Sequence, residues 1–232
     1  MTTGQNRSTL PTDMTSPITT KKAIAETGRQ LYDRGLVAGT DGNISVRMDD
    51  DRIMITPAGL AKGRLAAEDM VIIDGNGKHL QGRLGASSEL LMHLFLYRNR
   101  PDVAACIHSH PPYATAFAVA GVTISEDVLP EVVVSIGKIP LTDYAPPGTE
   151  AVPKSLEPHV ETCNAFLLRN HGLVTVGRSL DEAFHRHELV EHYAQILFLA
   201  SRLGDVERIP SQDFQRLEKM RCRLDETTDA KG

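Results

Sequence analysis

Hydrophobic positions in this chain come mostly in short alternating bursts between turn-forming residues, with four longer stretches of helical spacing. The first helix is predicted with Thr19 or Thr20 as its N-cap and with Ile24, Leu31 and Tyr32 along it; Gly35 stands just past its end, where a chain leaving a helix favours glycine. Gly39-Thr40-Asp41-Gly42-Asn43 is a turn-rich loop leading into Ile44-Ser45-Val46-Arg47, whose alternation predicts a strand. Asp49-Asp50-Asp51 suits a hairpin turn, with Arg52-Ile53-Met54-Ile55-Thr56 returning as the second strand. Val71-Ile72-Ile73-Asp74 is a third, turned by Gly75-Asn76-Gly77. A helix follows from residue 88 to about 98, with Pro101 after its end, then a buried strand over 103–108 and a small-residue helix over 112–119. Val132-Val133-Val134 and Ile139-Pro140-Leu141 are short strand candidates, and residues 165–169 and 173–176, split by Asn170-His171-Gly172, are stronger ones. Ser179 with Glu182 three residues on predicts a capping box heading a last long helix that ends near Gly204.

No internal repeat or linker interrupts this pattern, so one domain is expected over residues 18–232. Residues 1–17, rich in Thr, Ser and Pro, are expected to form a disordered lead-in. The pattern lacks a regular β-helix-β alternation, so an α/β fold with a mixed or mainly antiparallel sheet is expected rather than a doubly wound one. A length of 232 residues with 41% hydrophobic content supports a sizeable core, and 5% aromatics without Trp makes that core aliphatic. The net charge of -5, with Lys and Arg dispersed, argues against nucleic acid as a partner, because neutralising phosphates needs a basic stripe. A single pocket can still be positive and take a small anion. Cys106, Cys163 and Cys222 lie far apart, which offers neither a disulfide framework nor a thiolate zinc site. No run approaches the ~20 apolar residues of a membrane span, and the N-terminus lacks the apolar stretch of a signal peptide. A soluble cytoplasmic protein without a membrane partner is the expectation.

Chemistry concentrates in a few places. If residues 103–110 are extended, His108 and His110 point to one face about 7 Å apart and can converge on a cation; a pair of hydrogen-bonded surface histidines would look the same. His171 sits between two apolar strand segments, and Gly172 beside it suggests a bulge or close backbone approach that re-aims the side chain, although a hairpin tip in water is equally compatible. Three histidines at strand ends would leave an open position on a catalytic metal. Gly85-Ala86-Ser87-Ser88-Glu89 opens a helix and offers backbone N–H groups, hydroxyls and the helix dipole to an anion; simple capping would use the same residues. Thr40-Asp41-Gly42-Asn43 and Thr56-Pro57-Ala58-Gly59 could each donate N–H groups to a phosphate or be plain turns. His187-Glu188-Leu189-Val190-Glu191-His192 misses the HExxH zinc motif by one residue, so His185, His187 and His192 are expected at the helix surface or an interface. Gly75-Asn76-Gly77 opens no helix in the dinucleotide pattern.

Taken in order, Gly42-Asn43-Ile44-Ser45, Thr56-Pro57-Ala58-Gly59, Ser87-Ser88-Glu89, His108-Ser109-His110 and Asn170-His171-Gly172 resemble the class II aldolases of the aldolase/adducin family over residues 20–203, closest to the L-fuculose-1-phosphate aldolase branch. The resemblance implies a three-layer α/β/α fold around a mostly antiparallel sheet. It also implies a cyclic homotetramer with active sites between subunits, acting on a phosphorylated small molecule. It assigns zinc, or Mn²⁺ or Co²⁺, to His108, His110 and His171, and the acid/base role to Glu89. The substrate phosphate would rest on Asn43, Gly59, Ser87 and Ser88, with Thr40 and Gly42 shaping that pocket. Two departures stand out. Ala58 replaces a hydroxyl residue of relatives, and Leu129 stands where the fuculose enzyme has a catalytic tyrosine; Glu131 or Tyr144 would then supply the second proton-transfer group. The implied reaction is reversible cleavage of a ketose 1-phosphate of the fuculose, 5-deoxyribulose or methylthioribulose type to dihydroxyacetone phosphate and an aldehyde. An epimerase, dehydratase or decarboxylase with the same metal site, or a non-catalytic adducin-like interaction module, would share these residues.

Overall fold

A computed structural model of the chain describes residues 16–49 and 51–229. The expected lead-in therefore lies outside the described residues except for Ser16 and Pro17, and so does Asp50 of the first hairpin turn. The elements run α1 (Pro17–Asp33), β1 (Asn43–Arg47), β2 (Arg52–Ile55), β3 (Val71–Asp74), β4 (His79–Gln81), α2 (Leu90–Asn99), β5 (Ala105–Ser109), α3 (Pro112–Ala120), α4 (Pro130–Ser135), α5 (Ala151–Leu156), β6 (Ala165–Leu168), β7 (Gly172–Gly177), α6 (Leu180–Leu203) and α7 (Ser211–Asp229). The strands form one seven-stranded sheet in the order β4-β3-β2-β1-β5-β7-β6, and every ladder in it is antiparallel.

Strand alternation buries both faces of this sheet. Ile53, Ile55, Val71 and Ile73 pack beneath α2 and α5, with Met92, Leu96 and Leu156. Ile44, Val46, Met54, Ile72 and Ile107 face the other way, onto α1 and the start of α6, with Ile24, Leu31 and Phe184. A third cluster fills the space between β6–β7 and the helices α3, α4 and α6. The α/β/α layering and antiparallel sheet match the expectation, and they put β5 inside the sheet, with β1 on one side and β7 on the other.

Several local expectations need correction. Helix α1 begins at Pro17 rather than after Thr19 or Thr20, since proline's fixed φ and missing N–H suit a first helical position. Residues 132–134 lie in helix α4 and not in a strand: Pro130 starts the turn, Glu131 complements its dipole, and Val132 and Val133 are buried, so tertiary packing outweighs β-branched propensity. Helices α5 and α7 and strand β4 were not expected. At the head of α6, Ser179 Oγ accepts from Glu182 N as a capping box requires, but the Glu182 carboxylate turns to Arg178 N instead of the cap's own N–H.

Candidate active site

The site is built where the ends of β1, β5 and β7 meet the start of α2. In the β1–β5 register Asn43 is the direct partner of His108, so the two side chains share one face of the sheet. His110 follows two residues beyond His108, just past the end of β5. His171 arrives from the β6–β7 turn, which closes with a His171 N to Leu168 O hydrogen bond and uses Asn170 at φ 55°, a left-handed conformation that asparagine tolerates. Gly172 makes this approach possible: a Cβ there would lie 2.5 Å from Ser109 O and 2.6 Å from His110 Cδ2. The expected close approach of backbone at Gly172 is present.

The three imidazoles gather around one point with ring centroids 4.7–5.1 Å apart, His108 edge-to-face with both others and His110 tilted against His171. One nitrogen from each lies within 4.8 Å of the other two. Glu89, at the N-cap position of α2, reaches into the same point: its Oε2 is 3.1 Å from His108 Nε2 and its Oε1 is 3.3 Å from His171 Nε2. Hydrogen positions make this cluster informative. His108 Nδ1 donates to Leu173 O at 2.9 Å, so a neutral ring presents a bare lone pair at Nε2. His110 Nδ1 faces Asp41 Oδ2 at 3.4 Å, which leaves its Nε2 turned away from that carboxylate. His108 Nε2, His110 Nε2 and Glu89 Oε1 are buried without any hydrogen-bond partner. Burial and the neighbouring His108 ring lower the pKa of His171 to about 4 and depress that of His110 as well, so these rings are neutral near pH 7. Burial works to raise the Glu89 carboxyl, and the Asn43 amide, together with any positive charge held at His108 and His171, brings it below the usual carboxylate range. Lone pairs converging on one place without donors call for a cation. Imidazole nitrogens beside a carboxylate are a donor set that can hold a divalent metal ion.

The loops expected to take phosphate also gather here. Ala58 N donates to Gly85 O and Ser87 N to Thr56 O, which ties the 56–59 loop to the start of α2. Ser87 is buried and its Oγ accepts from Glu89 N at 3.2 Å; Ser88 is exposed. Gly59 adopts φ +74° with open space where a Cβ would be. Gly42, at φ +75°, has no such room: a Cβ would lie 2.7 Å from His108 O. Thr40 is exposed, and its carbonyl accepts from Lys62 Nζ at 3.0 Å. Lys62 itself is only 2% exposed and also donates to Leu60 O, so a buried ammonium clamps the 39–43 and 57–60 loops together. The second acid/base candidates are not brought in. Glu131 is exposed in the first turn of α4 and Tyr144 is 59% exposed, and among the described residues neither hydrogen-bonds to the histidine cluster.

Reading by sequence missed the groups behind the site. His93 and Tyr97 fall within the helix, at four-residue steps from Glu89, and both are buried; that spacing was the available signal. His187 was expected at a surface or interface but is fully buried, where it meets Ser109 Oγ and Thr175 Oγ1, whereas His185 and His192 are exposed. Its place on α6 one turn beyond Ala183 and facing β5–β7 explains the difference.

Residues 22–198 match the family model of the Class II Aldolase and Adducin N-terminal domain. The chain is 38% identical over 175 residues to an L-fuculose phosphate aldolase of Methanococcus maripaludis, covering 75% of this chain and 94% of that protein. It is 35% identical over 182 residues to a 3-oxo-tetronate 4-phosphate decarboxylase of Haemophilus influenzae, covering 77% of this chain and 86% of the other. Among solved structures, an L-fuculose 1-phosphate aldolase superimposes with a TM-score of 0.79 at 31% identity, over 86% of this chain and 94% of its own.

Proposed function

The chain belongs to the class II aldolase and adducin family, and from that premise we propose that it is a metal-dependent lyase that breaks a carbon–carbon bond in a phosphorylated ketose. The cleavage leaves the enediolate of dihydroxyacetone phosphate. The observation that carries this reading is the Glu89 carboxylate set among three imidazoles, with buried lone pairs on His108, His110 and Glu89 itself left unpartnered. A divalent ion held by His108, His110 and His171 would supply Lewis-acid polarisation of the substrate carbonyl. Zinc is the ion we assign, with Mn²⁺ or Co²⁺ accepted by the same ligands.

The residues of the chain do the rest. Ser87, Ser88 and the N–H groups at the start of α2 hold the phosphate, with Gly59, Gly42, Asn43 and Thr40 on the two loops beside them. This anchoring fixes the reacting carbon near Glu89. Glu89 carries the proton to and from the hydroxymethyl carbon, starting as a carboxylate in the direction that removes it. In the aldolase direction the departing oxygen also needs a proton partner, and Glu131 and Tyr144 are the residues we assign to it. Exposed Val119, Val122, Phe198, Leu199 and Leu203 supply apolar surface for assembly, in keeping with a homotetramer whose sites form between subunits. A sedimentation experiment reading only monomer at micromolar concentration would remove that part. No helix among the described residues is long and apolar enough to cross a membrane, and a cytoplasmic enzyme is proposed.

A second reading has its own support. Loss of carbon dioxide from a 3-oxo-tetronate 4-phosphate gives the same enediolate and needs no base at a departing oxygen. The exposure of Glu131 and Tyr144 and the decarboxylase relative both favour it. The discriminating experiment offers the zinc-loaded protein dihydroxyacetone phosphate with a panel of aldehydes, and separately a 3-oxo-tetronate 4-phosphate, each with and without chelator. Chelator-sensitive condensation supports the aldolase and chelator-sensitive release of carbon dioxide the decarboxylase; inertness in both arms contradicts the lyase reading.

A further inference from the structure

Behind Glu89 runs a continuous buried chain of hydrogen bonds. Asn43 Nδ2 donates to Glu89 Oε2 at 2.8 Å, and Asn43 Oδ1 lies 2.5 Å from His93 Nε2. His93 Nδ1 lies 2.6 Å from Ser45 Oγ, which in turn lies 2.7 Å from the Tyr97 hydroxyl. Asn43, Ser45, Glu89, His93 and Tyr97 are each at most 9% exposed. The geometry follows from matched repeats. Glu89, His93 and Tyr97 step along α2 by four residues, ~6 Å each, and Asn43 and Ser45 step along one face of β1 by two residues, ~6.6 Å.

The polarity of the chain is determined once its end is known. A carboxylate only accepts, so the Asn43 amide nitrogen must face Glu89 and its carbonyl oxygen must face His93. His93 therefore carries its proton on Nε2, its Nδ1 accepts from Ser45, and Ser45 Oγ is left to accept from Tyr97. Burial supports the neutral ring this requires, lowering the His93 pKa to about 3. Each bond along the chain then has one donor, and all the bond dipoles point at the Glu89 carboxylate.

We infer that His93, with Ser45 and Tyr97 behind it, is a positioning residue for the proton-carrying carboxylate: it locks the Asn43 amide in the one orientation that holds Glu89 in its working rotamer. The inference rests on the reading of Glu89 as proton carrier. It predicts effects on turnover with little effect on substrate or metal binding, because among the described hydrogen bonds His93 reaches the phosphate pocket only through the Asn43 carbonyl oxygen and does not touch the histidine cluster.

The test has two arms. In ¹⁵N NMR of the labelled protein at neutral pH, His93 is expected as the neutral Nε2–H tautomer; an Nδ1–H tautomer or an imidazolium would overturn the inference without any variant being made. In the second arm, zinc-loaded protein is given dihydroxyacetone phosphate in heavy water, and the exchange of its hydroxymethyl hydrogen is followed. His93→Met is expected to lower the saturated exchange rate ~100-fold, leaving half-saturation and zinc content near those of the parent. His93→Gln, whose amide can donate to Asn43 and accept from Ser45, should recover to within ~10-fold of the parent. A His93→Met rate within about twofold of the parent, in a background where Glu89→Gln is inactive, would overturn this inference alone. Undiminished exchange in Glu89→Gln would instead remove the proton-carrier reading on which it rests. Should His93→Met fail to fold, the tautomer measurement still decides.

Discussion

Two histidines, His93 and His187, are fully buried on opposite faces of the sheet, His93 against β1 and His187 against β5 and β7, and they are wired differently. On the α2 side, His93 sits in a chain whose donors and acceptors all match. On the α6 side, Ser109 Oγ donates to Leu36 O and Thr175 Oγ1 donates to Ala183 O, so each hydroxyl has spent its one hydrogen before meeting His187. Both hydroxyls are left as acceptors, and only an imidazolium could satisfy both. Burial forbids that charge, taking the His187 pKa to about 3. One of its two contacts is therefore a weak one. The first network is directional and ends on the Glu89 carboxylate; the second fastens α6 and the 36–37 segment to the back of the histidine strand. Burial and residue type are shared, so the function of a buried histidine must be read from where its protons go.

The contrast predicts that substitutions on the α2 side change rate and those on the α6 side change stability. The largest effects fall at the cluster itself. Glu89→Gln is expected to keep bound zinc and lose ~10³-fold in solvent exchange of dihydroxyacetone phosphate; parent-like exchange would remove Glu89 from its role. His110→Ala should release most of the metal, read by mass spectrometry of the purified protein, and full occupancy there would break the three-histidine assignment. Next comes Gly172→Ala. Its Cβ would overlap Ser109 O and His110 Cδ2, so zinc affinity should fall ~10–100-fold, the scale of other outer-sphere changes, and unchanged affinity would show that β7 can yield. His187→Gln should lower unfolding free energy by ~1–3 kcal/mol and leave saturated exchange within about twofold; a large loss of rate with normal stability would make the two sides alike.

The smallest effect is in pH dependence. The folded-state pKa of His187 lies near 3, below the ~6.5 of a free imidazole. Between those values the unfolded chain binds a proton that the folded chain refuses, so stability falls as pH drops from 6.5 towards 3. In chelated protein, His187→Gln should remove up to one proton from that slope, ~1.4 kcal/mol per pH unit. An identical slope in parent and variant would mean that His187 is charged inside the fold.

What could be read in the sequence was what local periodicity encodes. His108 and His110 share a face because strands repeat every two residues, and Gly172 announced a close approach that its Cβ distances bear out. The pattern of elements gave an α/β fold with a mainly antiparallel sheet, while the α/β/α layering was implied by the family resemblance and is seen in strands with two apolar faces. What failed was decided by packing: Val132 and Val133 are strand formers held in a helix that Pro130 begins, and His187 is a polar residue turned inward by α6. His93 and Tyr97 were hidden among the apolar residues of the 90–97 stretch of α2, and only their step from Glu89 marks them. Lys62 escaped notice too, because nothing local says that a lysine will be buried between two loop carbonyls. Asn43, expected at the phosphate, has an amide already engaged with Glu89 and His93, a partnership across 46 and 50 residues of chain.

X-ray absorption spectroscopy of the zinc-loaded protein tests the central claim most directly. The site described here predicts about one ion per chain with three imidazole nitrogens and otherwise oxygen ligation at zinc–nitrogen distances of ~2.0–2.1 Å. Uptake of no ion, or an ion whose spectrum shows sulfur or lacks imidazole scattering, would contradict it.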